Sequence, residues 1–158
     1  MHASKLMAAS VAAMLILAAC GGSAPTTAPS RATVDPCSLL TQADIKTATG
    51  SDYGVGVPDS YGHCRYFFGS STVDEGKGMV DVHFAAPGTT LASLKSGVTA
   101  GGVDVTVSGH PAYWDAISFG PSIWVDMGTT VLVIGLDPLP LGGQAMVQRM
   151  AELAVAKL

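Results

Sequence analysis

Two aspartates offer the most suggestive chemistry in this chain. Asp115 and Asp126 lie on neighbouring predicted strands, and Tyr113 and Trp124 come two residues before them. In one register of an antiparallel pair the two carboxylates face each other. Such a pair persists when water solvates it, when a cation bridges it, or when one pKa rises to serve acid–base chemistry. Oxygen ligands of this kind suit calcium or magnesium. These four side chains are our candidate ligand surface, and the simpler alternative is two solvated aspartates with Trp124 in the core.

The histidines and serines give weaker signals. A hydrolase triad can be drawn from Ser108, His110 and Asp104, but the chain has no Gly-x-Ser-x-Gly motif to present a nucleophile. Serine is also common in turns for conformational reasons, and that is where these serines are predicted. His83 is expected on the outward side of a strand, two residues after Asp81. We therefore expect no catalytic residue.

Residues 1–19 have the pattern of a signal peptide. A positively charged start precedes an apolar run of 12 residues, Leu6–Leu17. A transmembrane helix needs about 20 such residues, so the run is typical of a signal-peptide core. The four residues 17–20, Leu-Ala-Ala-Cys, resemble the bacterial lipobox. That resemblance implies that Cys20 is diacylated and becomes the amino terminus after cleavage. The alternative is an ordinary secretory signal with cleavage near Ala19.

The remaining chain divides into a tether and one domain. Residues 20–34 have the Gly, Ser, Pro and Thr composition of a flexible linker. Residues 35–158 are long enough for a single domain with its own core. Without Lys5 the 8 basic and 12 acidic residues become 7 and 12, which is a net charge of about −5. This charge argues against binding nucleic acid and against electrostatic docking on anionic lipids. Membrane contact would then come from the acyl chains on Cys20.

Two cysteines remain in the predicted domain. Cys37 and Cys64 lie 27 positions apart in a chain expected to be exported, which predicts a disulfide. Closing this loop removes unfolded-state entropy worth roughly 3 to 4 kcal/mol. Neither cysteine belongs to a Cys-x-x-Cys motif, and His63 beside Cys64 points to the opposite side of a strand. We therefore expect no metal site and no cofactor.

The elements that must position these residues follow from local patterns. A helix is predicted over 42–49, with Thr41 and Asp44 as a capping box and Gly50 ending it. Strands are predicted over 63–68, 79–85, 103–107, 112–118, 122–127 and 130–136. A short helix is predicted over 90–95 and a longer amphipathic helix over 143–157.

The predicted fold class is α+β. An antiparallel sheet of about five or six strands packs against the C-terminal helix and the short N-terminal helix, with one disulfide. Gly128-Thr129 predicts a two-residue hairpin between the last two strands. One face of this hairpin carries Trp124, Val131 and Val133, which are too apolar for open solvent. We expect the C-terminal helix to cover that face.

Several stretches together resemble a known group of proteins. They are 35–45 (DPCSLLTQADI) with Gly50, 64–66 (CRY), 109–114 (GHPAYW) and 124–128 (WVDMG). With the lipobox, they are similar to small lipoproteins of high-GC Gram-positive bacteria that carry a domain of unknown function. They are more distantly similar to the extracellular sensor domains of receptor Ser/Thr kinases. The resemblance implies an extracytoplasmic binding or sensing module and supplies no catalytic residue.

The leading functional hypothesis is a monomeric, non-enzymatic lipoprotein on the outer side of the cell membrane. It would bind a small ligand, an envelope component or a partner protein. One alternative is a cell-envelope hydrolase that uses Asp115 and Asp126. Another is a structural partner of a membrane protein.

Overall fold

A computed structural model describes residues 34–69, 78–98, 101–117, 120–137 and 143–158. The helices are α1 (Gln42–Thr49), α2 (Leu91–Ser96) and α3 (Gly143–Val155), and a 3₁₀ turn at Pro36–Ser38 precedes them. The strands are β1 (Val57–Pro58), β2 (Cys64–Phe67), β3 (Met79–Phe84), β4 (Val103–Val107), β5 (His110–Asp115), β6 (Ser122–Asp126) and β7 (Val131–Asp137). They form one antiparallel sheet in the order β1-β2-β3-β7-β6-β5-β4. The α+β fold class is confirmed.

The sheet has seven strands in the described residues, slightly more than predicted. The additional strand is β1, which has only two residues, one of them a proline. A segment that short shows no alternation, so the sequence indicates a loop there.

Helix α1 begins and ends where the capping pattern predicts. The Thr41 side chain accepts from the backbone N–H of Asp44 (3.1 Å), and the Asp44 carboxylate accepts from the backbone N–H of Thr41 (2.8 Å). These reciprocal bonds satisfy N–H groups that have no partner within the helix. Gly50 follows with a φ of 74°, the left-handed conformation that glycine adopts at no steric cost.

The first face of the sheet carries the main core. Its strand residues include Tyr66, Val82, Ile123, Val125, Leu132 and Ile134, all of them buried. Helices α1 and α3 supply the opposing apolar side chains, which are Ile45, Val147, Met150, Ala151 and Ala154. The predicted disulfide between Cys37 and Cys64 is confirmed, and it joins the 3₁₀ turn to β2 at a Cα–Cα distance of 5.0 Å.

Tyr66 shows how polar groups are accommodated in this core. Its hydroxyl donates to the carbonyl oxygen of Leu40 at 2.6 Å, so neither buried group is left without a partner. Burial raises the pKa of Tyr66 to about 12, and the charges of Asp35 and Asp44 act in the same direction. The side chain therefore stays neutral under ordinary conditions.

The second face of the sheet is divided into two halves. Its apolar half consists of Tyr113, Trp124, Val131 and Val133, together with Leu91 of α2, which packs over them. The prediction that the C-terminal helix covers this face is wrong, because α3 packs on the first face. The covering element is α2, which follows β3 closely and contributes Leu91 and Leu94.

The strand registers decide which polar residues meet. In the β6–β7 hairpin Val125 pairs with Leu132, and Gly128 has a φ of 82°, so the predicted hairpin register is confirmed. Between β5 and β6 Asp115 pairs with Ser122. The register that would set Asp115 opposite Asp126 is therefore wrong. The connection between these two strands has no turn chemistry that fixes the pairing from sequence.

Candidate functional site

The predicted ligand surface lies mostly inside the protein. Tyr113, Asp115 and Trp124 are 8%, 0% and 2% exposed. The indole N–H of Trp124 donates to the Ser122 hydroxyl at 2.9 Å, and its ring centroid lies 5.6 Å from that of Tyr113. These contacts are typical of aromatic core packing. Tyr113 and Trp124 therefore belong to the apolar half, and Asp115 is fully buried, so these three residues cannot form an open binding surface.

Each aspartate is the last residue of its strand and accepts a hydrogen bond from a backbone N–H, and because β5 and β6 are antiparallel the two lie at opposite ends of the strand pair. Asp115 accepts from the backbone N–H of Ile117 at 3.0 Å. Asp126 accepts from the backbone N–H of Gly128 at 2.7 Å, which supports the hairpin. Because the register separates them, these carboxylates do not form the facing pair that the hydrolase alternative requires.

The residues of the possible triad also lie apart. Asp104 pairs with Tyr113 across β4 and β5, which puts it on the second face, and its carboxylate binds Lys95. His110 pairs with Val107, and this position lies on the opposite face because side chains alternate along a strand. The Nδ1 atom of His110 lies 3.2 Å from the Asp126 carbonyl oxygen. Asp104 and His110 therefore lie on opposite faces of the sheet.

A polar cluster occupies the other half of the second face. Strand pairing sets Arg65 of β2 opposite Asp81 of β3. His83 lies two residues beyond Asp81, and His63 lies two residues before Arg65, so all four point to the same side. With Asp59 from the turn before β2, these residues form what we call the polar half.

Asp81 is the centre of the polar half. Its Oδ1 lies 3.2 Å from Nδ1 of His63, and its Oδ2 lies 2.6 Å from Nδ1 of His83. The two imidazole rings are stacked, with centroids 3.9 Å apart and planes 7° from parallel. The Nε atom of Arg65 approaches Oδ1 of the same carboxylate at 3.4 Å. One carboxylate thus collects two imidazoles and a guanidinium.

These charges set the protonation state of Asp81. Burial raises the pKa of the Asp81 carboxyl, but the hydrogen bond and charge of His83, the charge of His63 and the hydrogen bond from Arg65 outweigh it and hold the pKa below its ordinary value. The group is therefore an ionised acceptor at neutral pH. Side-chain exposures of 26% for His63, 18% for Asp81 and 22% for His83 leave the cluster partly open to solvent.

Asp59 holds the segment before β2 in place. Its Oδ1 accepts from the backbone N–H groups of Tyr61 (2.8 Å) and His63 (2.9 Å). Its Oδ2 lies 3.1 Å from Nη2 of Arg65. The hydrogen bond from the His63 backbone, the bond from Tyr61 and the nearby positive charges lower the pKa of Asp59. This support fixes where His63 enters the cluster.

Gly135 leaves space beside the cluster. It pairs with Asp81 on one side and with Ser122 on the other, so it lies between the two halves of the second face. A Cβ atom there would lie 4.0 Å from Cβ of Asp81, which is ordinary van der Waals contact. The space beside Asp81 at this position is therefore enough for a methyl group.

The sequence contained part of this signal. The alternation in β3 places Asp81 and His83 outward, and the same reasoning places His63 away from Cys64. The missing information was the register between β2 and β3, which brings residues 18 positions apart into contact. The expectation of no metal site rested on the cysteines and on the direction of His63, whereas the described residues His63, Asp81 and His83 offer ligand atoms that lie within 4.8 Å of one another.

Searches against protein-family models, curated proteins and solved structures found no match for this chain. In the described part of the chain no helix has the length and hydrophobicity needed to cross a membrane.

Proposed function

We propose that this protein is an extracytoplasmic lipoprotein whose domain is a non-enzymatic binding module, held at the outer side of the cell membrane by acyl chains on Cys20. The anchor is supported by the lipobox-like residues 17–20, the short apolar run before them and the linker composition after them. The binding role is supported by the polar half of the second sheet face. A small ligand, an envelope component or a partner protein would bind there.

One observation carries the binding role. His63, Asp81 and His83 extend from neighbouring strand positions, and hydrogen bonds hold them around a single carboxylate while they stay partly exposed. Polar groups fixed on a sheet lose little conformational freedom on binding, so more of the interaction energy appears as affinity. On the same face, Tyr113, Trp124, Val131 and Val133 pack under α2 and are buried.

The location is tested on the full chain expressed in a high-GC Gram-positive host. We expect mass spectrometry of the membrane fraction to find a diacylglyceryl group on Cys20, and protease added to intact protoplasts to digest the domain. A Cys20→Ala variant should leave the membrane fraction. An unmodified Cys20 peptide in membranes would contradict the anchor.

The binding role is tested by native mass spectrometry of the full chain released from those membranes in mild detergent. We expect the wild type to retain a non-covalent adduct. A His63→Gln/His83→Gln double variant should lose it, whereas His110→Gln changes a histidine outside the polar half and should keep it. Retention by the double variant would place binding elsewhere.

A further inference from the structure

We propose that His63, Asp81 and His83 are the protein ligands of a divalent transition-metal ion, and that zinc is the ion their donor set fits best. This inference rests on the proposed binding function, because it names the ligand class of the same polar half. It assigns a chemical role to a cluster that neither the sheet core nor α2 requires.

The donor atoms are already close enough for a small rearrangement to bring them onto one ion. One ligand atom from each of the three residues lies within 4.8 Å of the others. Two ligands of a tetrahedral zinc lie about 3.3 Å apart, given zinc–ligand distances of about 2.0 to 2.2 Å. The separation between His63 Nδ1 and Asp81 Oδ1 is 3.2 Å. Rotation about side-chain torsions can bring the His83 nitrogen to a similar distance while the strands stay in place.

The two imidazole rings are the part that must move. They stack with planes only 7° apart. A metal ion lies near the plane of each imidazole that binds it, so two parallel rings cannot share one ion without tilting. Both rings are partly exposed, so solvent lies beside them, and Gly135, which pairs with Asp81 on β7, adds no side chain next to the carboxylate.

The donor types select the class of ion. Two imidazole nitrogens and one carboxylate oxygen suit zinc, copper or nickel, whereas calcium and magnesium prefer all-oxygen sites. Three protein ligands leave one position of a tetrahedral zinc open. That position can take water or a donor atom from a second molecule, which is how a bound ion would contribute to recognition.

The surrounding charge permits a cation. Arg65 lies 3.4 Å from Asp81, which opposes a second positive charge there. The guanidinium also lies 3.1 Å from Asp59, so it keeps a carboxylate partner when an ion takes Asp81. With neutral imidazoles, the two carboxylates and one guanidinium sum to −1. Removal of the Arg65 charge should therefore strengthen metal binding.

The test is isothermal titration calorimetry of the full chain, without an affinity tag, in detergent with zinc chloride. We expect one saturable site in the wild type. His63→Gln, His83→Gln and Asp81→Asn should each weaken zinc binding by at least about tenfold. The matched controls His110→Gln and Asp126→Asn change the same residue types outside the polar half and should leave the affinity unchanged.

An Arg65→Gln variant keeps the test informative if a ligand variant unfolds. We expect it to bind zinc severalfold more tightly, and a gain in affinity cannot be explained by loss of structure. Circular dichroism melting of each variant shows whether it is folded. His63 and His83 are partly exposed, so their glutamine variants should keep the fold.

Three results would overturn the metal site. One is the absence of saturable zinc binding by the wild type, and another is unchanged zinc affinity in the His63→Gln/His83→Gln double variant. The third is displacement of zinc by equal concentrations of calcium or magnesium. If the wild type shows no saturable zinc binding while the double variant still loses the adduct seen by native mass spectrometry, the metal site is wrong and the binding function stands. If Cys20 is unmodified while zinc binds, the anchor is wrong and the metal site stands.

Discussion

The two halves of the second sheet face share one antiparallel sheet but expose their side chains very differently. In the apolar half, Tyr113 and Trp124 pack beneath α2 and are almost completely buried. In the polar half, His63, Asp81 and His83 bind one another and stay partly open to solvent. A short helix therefore determines which stretch of the face is core and which can meet another molecule.

This difference shows that residue type alone does not identify a surface. Aromatic rings and aspartates beside one another suggest a ligand site, yet Trp124 directs its indole N–H to Ser122 within the fold. The residues of the polar half include no aromatic side chain apart from the histidines, and both histidines contact the Asp81 carboxylate. Substitutions in the apolar half should therefore lower the free energy of unfolding strongly, whereas substitutions in the polar half should change it only weakly.

Trp124→Ala should have the largest effect. Truncating a buried Trp leaves a cavity and removes apolar contact area, which typically costs about 3 to 5 kcal/mol. This is a large share of the total stability of an ordinary domain. Urea unfolding followed by circular dichroism measures the loss. Tyr61→Ala is the matched control, because Tyr61 is 83% exposed and should cost little. A loss below about 1 kcal/mol for Trp124→Ala would contradict its assignment to the core.

Leu91→Ala tests whether α2 is the cover of the apolar half. Leu91 is 9% exposed and packs in the cluster that contains Trp124 and Val133. We expect the free energy of unfolding to fall by about 2 kcal/mol. This is near the lower end of the usual cost of a buried Leu→Ala substitution, because Leu91 lies at the edge of its cluster. Tryptophan fluorescence should shift to the red as water reaches Trp124. Leu158→Ala, at a residue that is 49% exposed, should leave both measurements unchanged.

If Leu91→Ala changed stability but left the fluorescence maximum in place, α2 would contribute packing without excluding water. In that case α2 would not account for the difference in solvent exposure between the apolar half and the polar half.

Asp81→Asn should have a smaller effect that depends on pH. The pKa of Asp81 is held below 3.8, chiefly by His83 once the opposing effect of burial is overcome. A lowered folded-state pKa adds stability above the ordinary pKa, and this contribution is lost as pH falls through the folded-state value. Near pH 5 the free energy of unfolding of the wild type should exceed that of the variant by about 1 kcal/mol. This excess should shrink as the pH falls towards 2.5.

Urea unfolding at both pH values measures this difference. Asp104→Asn is the control, since that carboxylate is 73% exposed. The loss caused by Trp124→Ala should not change with pH. If the free energy of unfolding of Asp81→Asn differed from that of the wild type by the same amount at both pH values, the ionised carboxylate would not stabilise the polar half.

Gly135→Ala should change the free energy of unfolding least, and it should raise it where the other substitutions lower it. Glycine in a strand interior is less stable than alanine by about 0.5 to 1 kcal/mol. A Cβ at position 135 would meet its neighbours at 3.6 to 4.0 Å, so it fits without strain. We expect a gain of about 0.5 kcal/mol in urea unfolding. A loss would indicate that the boundary between the halves is more tightly packed than these distances imply.

Local features of the fold could be predicted from sequence because local chemistry determines them. The capping box at Thr41 and Asp44 and the glycine at position 50 gave both ends of α1. Alternation and the Gly128-Thr129 turn gave the register of the β6–β7 hairpin. The pairing of Cys37 with Cys64 followed from there being two cysteines in a chain expected to be exported.

Non-local features could not be predicted in the same way. The apolar stripe of α2 has two leucines, Leu91 and Leu94, and this pattern does not specify which sheet face it covers. The polar half depends on the pairing of Arg65 with Asp81 across an intervening segment whose length does not fix a register. The separation of Asp115 from Asp126 depends likewise on a connection without a diagnostic turn.

The disulfide also determines how the domain would respond to mechanical force. A pull on the chain at Val34 reaches Cys37 after three residues and passes through the Cys37–Cys64 bond into β2 of the sheet. The residues from 38 to 63, including α1, form a covalent loop outside this load path. A domain pulled at its amino terminus would thus transmit tension into its sheet while α1 stays relaxed.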